Sequence, residues 1–338
     1  LAYGERRRLT RSGEASAWPP SLVVWESSRP DVASVTAGGV AQGHSPGVTH
    51  IRAAWGGQSV GVDLEVAPIA PGSVTVLARQ QLPLAQGSAN QGILVTATGR
   101  YGTANRVGAL PLLFRYDAGF GVEQSTELSP PGWGALHAGS LAEHNGILFV
   151  AYLDPVSFGD RDPATVPRVG IARRSATTLA DLGFLDLTGV VPYLDAIDAD
   201  ADTLWASAWN AFVRIPIVAG GLDTEHMTVY RKTVPGELQG LRVRDGRLYA
   251  VLESSTSDPR LAGILEFDVA SLKPTVLGDA WEPAASPIRH YAFAFPSPEA
   301  PDLESFDFDD DDPSVLYITD NPGNYVTTLR ISEDPPAR

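Results

Sequence analysis

The sequence contains no cysteine in 338 residues. Disulfides, thiolate nucleophiles and cysteine-ligated metal or cluster sites are thereby excluded. Lysine is nearly absent as well. Of 25 basic residues only Lys232 and Lys273 are lysines, which leaves 23 arginines. With so much Ala, Gly and Pro, this reads as the composition of a GC-rich genome, not as a binding signal. No apolar run approaches the ~18 residues of a membrane-crossing helix; the longest clear one is Ile147 to Leu153. The formal charge of −15 argues against a nucleic-acid backbone as partner. There is no Walker loop, no dinucleotide fingerprint and no H-E-x-x-H. The six histidines (His44, His50, His137, His144, His226 and His290) show no metal-ligand spacing.

What the chain does have is turn formers and strands. Gly 33 and Pro 27 are spread along the whole length, which predicts many turns instead of a disordered tail. Hydrophobic residues make up 43%, enough to fill a core. Charge divides the sequence: residues 1–68 carry six Arg and six acids, so the remainder holds the entire net −15. Short alternating runs fill that first segment, among them Ser21 to Trp25, Val32 to Val35, Thr49 to Ala53 and Val60 to Val66. Period-two patterning between Gly, Pro and Ser predicts a small β-sandwich without helix.

Within this segment, Val24-Trp25-Glu26-Ser27-Ser28-Arg29-Pro30-Asp31-Val32-Ala33-Ser34-Val35, Gly39-Val40-Ala41 and Pro46-Gly47-Val48-Thr49-His50-Ile51 resemble the bacterial Ig-like domain of group 2. Leu1 to Glu5 resembles the end of that family's first strand, which implies further chain upstream of Leu1. Such domains are spacers on exported or surface proteins, so the resemblance implies an extracytoplasmic location in a bacterium; the absence of cysteine is compatible with it. Gly43-His44-Ser45-Pro46-Gly47 fits G-x-S-x-G, but a nucleophile elbow needs a strand before the Ser and a helix after it. Here a strand pattern follows, so the motif is expected to be an inert turn.

From Gly72 the sequence repeats. Apolar runs anchored on Leu94, Leu148, Leu204, Leu248 and Leu316 recur at steps of 54, 56, 44 and 68 residues, and a further strand pattern follows each. Repeats of this length, rich in short strands, resemble β-propeller blades. The expected fold is all-β: a sandwich at 1–68, then a five-bladed propeller at 69–338, with six blades as the alternative because Tyr291 to Phe295 offers an extra strand-like run. The last blade lacks an outer strand, and Ser73 to Ala78 is expected to supply it beside 325–331, closing the ring and hiding an edge.

Two acidic clusters, Asp198 to Asp202 and Asp307 to Asp312, invite a calcium reading. Both lack the Gly and Glu that an EF-hand loop requires. They are expected to be turn residues, with Asp307, Asp309 and Asp311 the better calcium candidate and no other cofactor. Long connections at 98–111, 154–168, 253–262 and 278–302 are expected on one face, collecting Tyr101, Trp133, His137, Trp209, Trp281, Arg289, His290 and Tyr291. Aromatics and Arg are the usual interface anchors. Two function classes follow. One is a non-catalytic binding or assembly module whose elaborated face meets a protein or cell-surface component within a larger assembly. The other is a secreted propeller hydrolase, a glycosidase or lactonase, with carboxylates such as Asp195, Glu237 and Glu304 at the central channel.

Overall fold

The computed structural model of the chain describes all residues except 3, 86, 131, 133–136, 155–167, 192, 195, 209–210, 220, 235–237, 253–262, 276–284, 293–301, 322 and 335–338. Among the described residues there is no α-helix; strands dominate, joined by turns and short 3-10 segments. No helix is long and apolar enough to cross a membrane. The chain divides into two units.

The first unit comprises Leu1–Ala70 together with Tyr230–Val234 and Ala270–Ile288. Its strands are β1 (Arg6–Arg8), β2 (Val24–Ser27), β3 (Ala33–Val35), β4 (Val40–Gly43), β5 (Gly47–Trp55) and β6 (Gln58–Val66). They form two three-stranded sheets, β1-β4-β3 and β2-β5-β6. Strand β5 shows why: Thr49, Ile51 and Ala53 are buried while Val48, His50 and Arg52 are exposed, the alternation a half-covered sheet imposes. Val32 and Ala33, Ala41, Ile51, Leu64 and Val66 share one core drawn from both sheets. Short 3-10 turns at Gly13–Ala17 and Pro20–Leu22 interrupt the purely extended pattern expected here. The G-x-S-x-G segment is a turn running into β5, with no helix after it. Its Ser45 hydroxyl donates to the Asp31 carbonyl at 2.7 Å.

The second unit comprises Pro71–Val229, Pro235–Val269 and Arg289–Arg338. After β7 (Ala70–Pro71) and β8 (Ser73–Gln81) come five sheets. The first holds β9 (Ser88–Thr96), β10 (Gly99–Arg106), β11 (Ala109–Tyr116) and β12 (Val122–Glu127). The second holds β13 (His137–His144), β14 (Ile147–Asp154), β15 (Arg168–Ser175) and β16 (Asp181–Asp186). The third holds β17 (Ile197–Asp200), β18 (Thr203–Ala208) and β19 (Ala211–Val218), with β20 (Gly221–Leu222) and β21 (Thr228–Arg231) both on β19. The fourth runs through β22 (Leu238–Arg244), β23 (Arg247–Leu252), β24 (Gly263–Asp268) and β25 (Arg289–Tyr291) to β7. The fifth combines β26 (Asp302–Phe308), β27 (Val315–Asn321) and β28 (Tyr325–Ser332) with β8.

The innermost strands β9, β13, β17, β22 and β26 pack each beside the next, and β26 packs beside β9, so the ring closes. Strand β8 pairs with β28 from Ser73↔Ser332 to Gln81↔Tyr325, the closure expected from the missing outer strand. Tight hairpins join first to second strands. At Asn145-Gly146 and Asp245-Gly246 both residues have positive φ (52° and 78°, 50° and 73°), the conformation that favours Asn-Gly and Asp-Gly in two-residue turns.

Two expectations about this unit are corrected. The run around Leu94 is the innermost strand of its sheet, not the second; the second is β10, so 98–111 is strand and hairpin instead of a loop. Strand β10 reads poorly because it is built of small residues in tight surroundings: a Cβ on Gly102 would lie 2.7 Å from the Tyr116 ring. Arg289–Tyr291 is the fourth strand of the fourth sheet, paired through Glu266↔Arg289 and Ile264↔Tyr291, with β7 beyond it at the edge. Part of 278–302 is therefore strand. Residues 293–295 of the run that suggested a sixth blade lie outside the described residues.

Candidate functional site

The innermost strands carry buried polar residues that the apolar strand pattern conceals. Four innermost strands carry one residue more than their partners. The ladder slips at Gln91 in β9, between Ala138 and Leu141 in β13, at Gln239 in β22 and between Leu303 and Phe306 in β26. Bulges of this kind bend a strand and re-aim its side chains. Here they accompany buried Gln91, Ser140, Glu304 and Ser305. The Ser140 hydroxyl crosses to the next sheet: it accepts from the Ile197 amide at 2.6 Å and donates to the Ile197 carbonyl at 3.3 Å.

One position of each innermost strand faces an aromatic residue of the second strand. The pairs are Leu94↔Tyr101, Ala142↔Phe149, Asp198↔Trp205, Arg242↔Tyr249 and Asp307↔Tyr317. The last three inner residues form a buried Asp–Arg–Asp cluster. Arg242 Nε donates to Asp307 Oδ1 at 2.7 Å, and Nη1 lies 3.8 Å from Asp198 Oδ1. Its other N–H groups donate to the carbonyls of Ile93 at 2.6 Å, Leu241 at 2.7 Å and Ile197 at 3.1 Å. The carboxylates are engaged in turn. Asp307 Oδ2 accepts from the Val95 amide and Asp198 Oδ2 from the Val243 amide, both at 2.6 Å. One guanidinium thus ties its own strand to β9, β17 and β26.

Two carboxylates share this single cation, and burial penalises their charge. Desolvation pushes the Asp198 carboxyl up to about 7, with Arg242 pulling down and Asp307 pushing further up. Asp307 is raised for the same primary reason, again opposed by Arg242. The cluster is a clasp between sheets: each carboxylate faces Arg242 and accepts from a backbone amide of another sheet.

The expected interface residues part ways. Tyr101 is fully buried in β10 and donates to the Ala176 carbonyl at 2.9 Å. Tyr291 is also buried, donating to Glu266 Oε2 at 2.8 Å, and Arg289 reaches the same oxygen at 2.9 Å. These three belong to the packing of their sheets, not to an exposed anchor cluster. The strands that carry them lack a long apolar run, so the sequence alone reads as loop there. His290 is half-buried in β25, and His137 is half-buried at the start of β13, its Nδ1 2.8 Å from Asn105 Nδ2. Trp133, Trp209 and Trp281 lie outside the described residues, as do 155–167, 253–262 and most of the 278–302 connection. Of the carboxylates considered for the channel, Glu304 is buried in β26, while Asp195 and Glu237 lie outside the described residues.

The calcium candidate is likewise dispersed. Asp307 turns inward to Arg242. Asp309 is spent on its own turn, accepting from the amides of Asp311 at 2.9 Å and Asp312 at 3.1 Å and from the Tyr317 hydroxyl at 2.6 Å. Those bonds hold the Asp309 carboxyl below the usual carboxylate range. Among the described residues no group of three or more His, Asp or Glu side chains is gathered to hold a metal ion. Arg242 is not among the residues that motifs or spacing single out. Its signal was the recurrence of Asp, Arg and Asp at one repeat position, in Ile197-Asp198, Leu241-Arg242 and Phe306-Asp307.

No known protein family matches the chain, and no curated protein sequence matches it. Among solved structures it resembles glutaminyl cyclase from Myxococcus xanthus, with a TM-score of 0.51 at 10% identity, over 78% of this chain and 99% of that one. BamB from Moraxella catarrhalis gives a TM-score of 0.35 at 11% identity, over 76% of this chain and 97% of that one. At such identities the first likeness, to a propeller-type protein, shows the fold alone.

Proposed function

We propose that the chain is a non-catalytic binding or assembly protein that works outside the cytoplasm of a bacterium. In this reading its second unit is a five-bladed propeller and its first an Ig-like spacer of group 2. The partner is a protein or cell-surface component, met through the loop face that includes Trp133, Trp209 and Trp281. The observation that carries the reading is the Asp198–Arg242–Asp307 clasp. The Asp198 and Asp307 carboxylates of the innermost strands are buried and already paired, whereas a hydrolase needs such groups open to substrate. Calcium at the Asp307–Asp312 turn has no further support and is not part of the proposal.

The second reading is an enzyme, and the fold likeness to a glutaminyl cyclase makes cyclisation of N-terminal glutamine the first reaction to assay. Buried Glu304, on a bulged innermost strand, is the carboxylate to test as its acid or base. The experiment is turnover by the purified chain of N-terminal glutaminyl peptides, aryl glycosides and lactones. No turnover above a heat-inactivated control supports the binding reading. Turnover that Glu304→Gln abolishes, with folding intact, replaces it with the enzyme.

A further inference from the structure

A cleft of about 340 Å³ opens on the second sheet, between the outer strands β15 and β16 and the segment at Ser129 and Pro130. Its inner wall contains Arg174. This residue is only 6% exposed, yet among the described residues its guanidinium has one ionic contact, Nη1 to Asp181 Oδ1 at 3.5 Å. That is longer than a charge-assisted hydrogen bond of ~2.8 Å. Its Nε is shut off from solvent and has no hydrogen-bond partner. Buried guanidinium groups normally satisfy their fork of five donors. The partner here is loose for a visible reason: Asp181 is largely exposed, and its Oδ1 also accepts from the Gly183 amide at 2.9 Å.

Strand register builds this arrangement. Ala172 faces Phe184 and Gly170 faces Asp186, but a bulge then shifts the ladder so that Arg174 faces Asp181. Without the extra residue, Leu182 would stand opposite Arg174 and close the cleft with an apolar side chain. With it, Leu182 is turned out and is 44% exposed. Phe184 and Pro130 supply apolar wall, and Asp186, its carboxyl held low by Thr188, stands at the rim as a second negative charge.

We propose that this cleft is a binding site for a monocarboxylate with a small apolar or aromatic body. The carboxylate meets the Arg174 guanidinium where it lines the cleft, and the body lies against Phe184 and Pro130. The two aspartates set the charge class. They repel a phosphate or dicarboxylate, while a single carboxylate matches the one underused cation. The carboxylate can belong to a free small acid or to the C-terminus of a peptide.

The test is calorimetric or ligand-observed NMR titration of the whole chain with phenylacetate, with phenylacetamide, and with Gly-Gly-Phe as free acid and as C-terminal amide. Phenylacetate should bind saturably and its amide should not. Preference for the tripeptide acid over phenylacetate identifies a peptide terminus as the source; the reverse identifies a small acid. Arg174→Gln should weaken phenylacetate about tenfold or more. Because a buried arginine also affects folding, Asp181→Asn is the decisive variant: it removes the competing, repelling carboxylate from an exposed position and should tighten phenylacetate several-fold, a gain that structural damage does not produce. Absence of saturable binding overturns the proposal. So does equal binding of acid and amide, or an Asp181→Asn protein with unchanged or weaker affinity.

Discussion

Arg242 and Asp307 stand 65 residues apart in sequence and 2.7 Å apart in space, joined from Nε to Oδ1 on neighbouring innermost strands. Sheets arranged around an axis have no backbone ladder between their inner edges. Side chains must make those links, and a buried guanidinium with five donors can reach several carbonyls at once.

Removing that cation should therefore cost more than an ordinary core polar residue. Arg242→Met leaves Asp198 and Asp307 buried with no counter-charge, and breaking a buried pair from one side costs about 3–5 kcal/mol. The expected outcome is a loss of that order in urea unfolding of the second unit. Arg242→Met with Asp307→Asn should be less damaging than the two single losses added together, since the carboxylate stranded by the first change is neutralised by the second. A single Arg242→Met protein as stable as wild type would show that the clasp does not hold the ring.

The clasp also gives stability an unusual pH dependence. The Asp198 carboxyl rises from its ordinary 3.8 to about 7 on folding, chiefly by desolvation. The folded state thus holds a proton that the unfolded chain releases. Its stabilisation is full below about 4 and is lost as pH rises through about 7. Because the two aspartates share one arginine, the proton belongs to the pair. Melting temperatures from pH 5 to 8 should fall for wild type more steeply than for Asp198→Asn, which is neutral throughout. Parallel profiles for the two proteins would contradict the shared-proton arrangement.

Much of the ring was legible because its signals are local. Asn145-Gly146 and Asp245-Gly246 declare their hairpins, and the apolar runs at Leu148, Leu204, Leu248 and Leu316 lie on second strands as their pattern requires. The run at Leu94 misled because β10 gives no apolar signal; its Gly102 makes room for the Tyr116 ring. Tyr101 and Tyr291 misled for a related reason. Aromatics in weak strands look like loop anchors until a carbonyl or carboxylate is found for each hydroxyl. Charge was hardest to place. In Leu241-Arg242-Val243-Arg244 alternation cannot say which arginine faces the axis, and the answer rests on Asp198 and Asp307 in other sheets. The Arg174 cleft depends on a one-residue bulge, a register property that composition does not carry.

Closure of the ring by β8 can be examined residue by residue. In an antiparallel pair, successive residues point their N–H groups alternately toward the partner strand and away from it. Strand β8 lies at the edge of the fifth sheet, so only every second amide is used by β28. Proline lacks the donor and is tolerated where an edge amide faces solvent, but not where it feeds the ladder. Val74, Thr75 and Val76 face Ile331, Arg330 and Leu329 in unbroken register. Single substitutions Val74→Pro, Thr75→Pro and Val76→Pro should therefore alternate in thermal stability: the middle position should behave opposite to its two neighbours, with a contrast of about 1 kcal/mol or more from the lost bond. Val76 is 41% exposed, so its side chain contributes little and its response isolates the backbone. Three equal melting temperatures would mean that β8 does not pair with β28 in solution and that the ring closes without it.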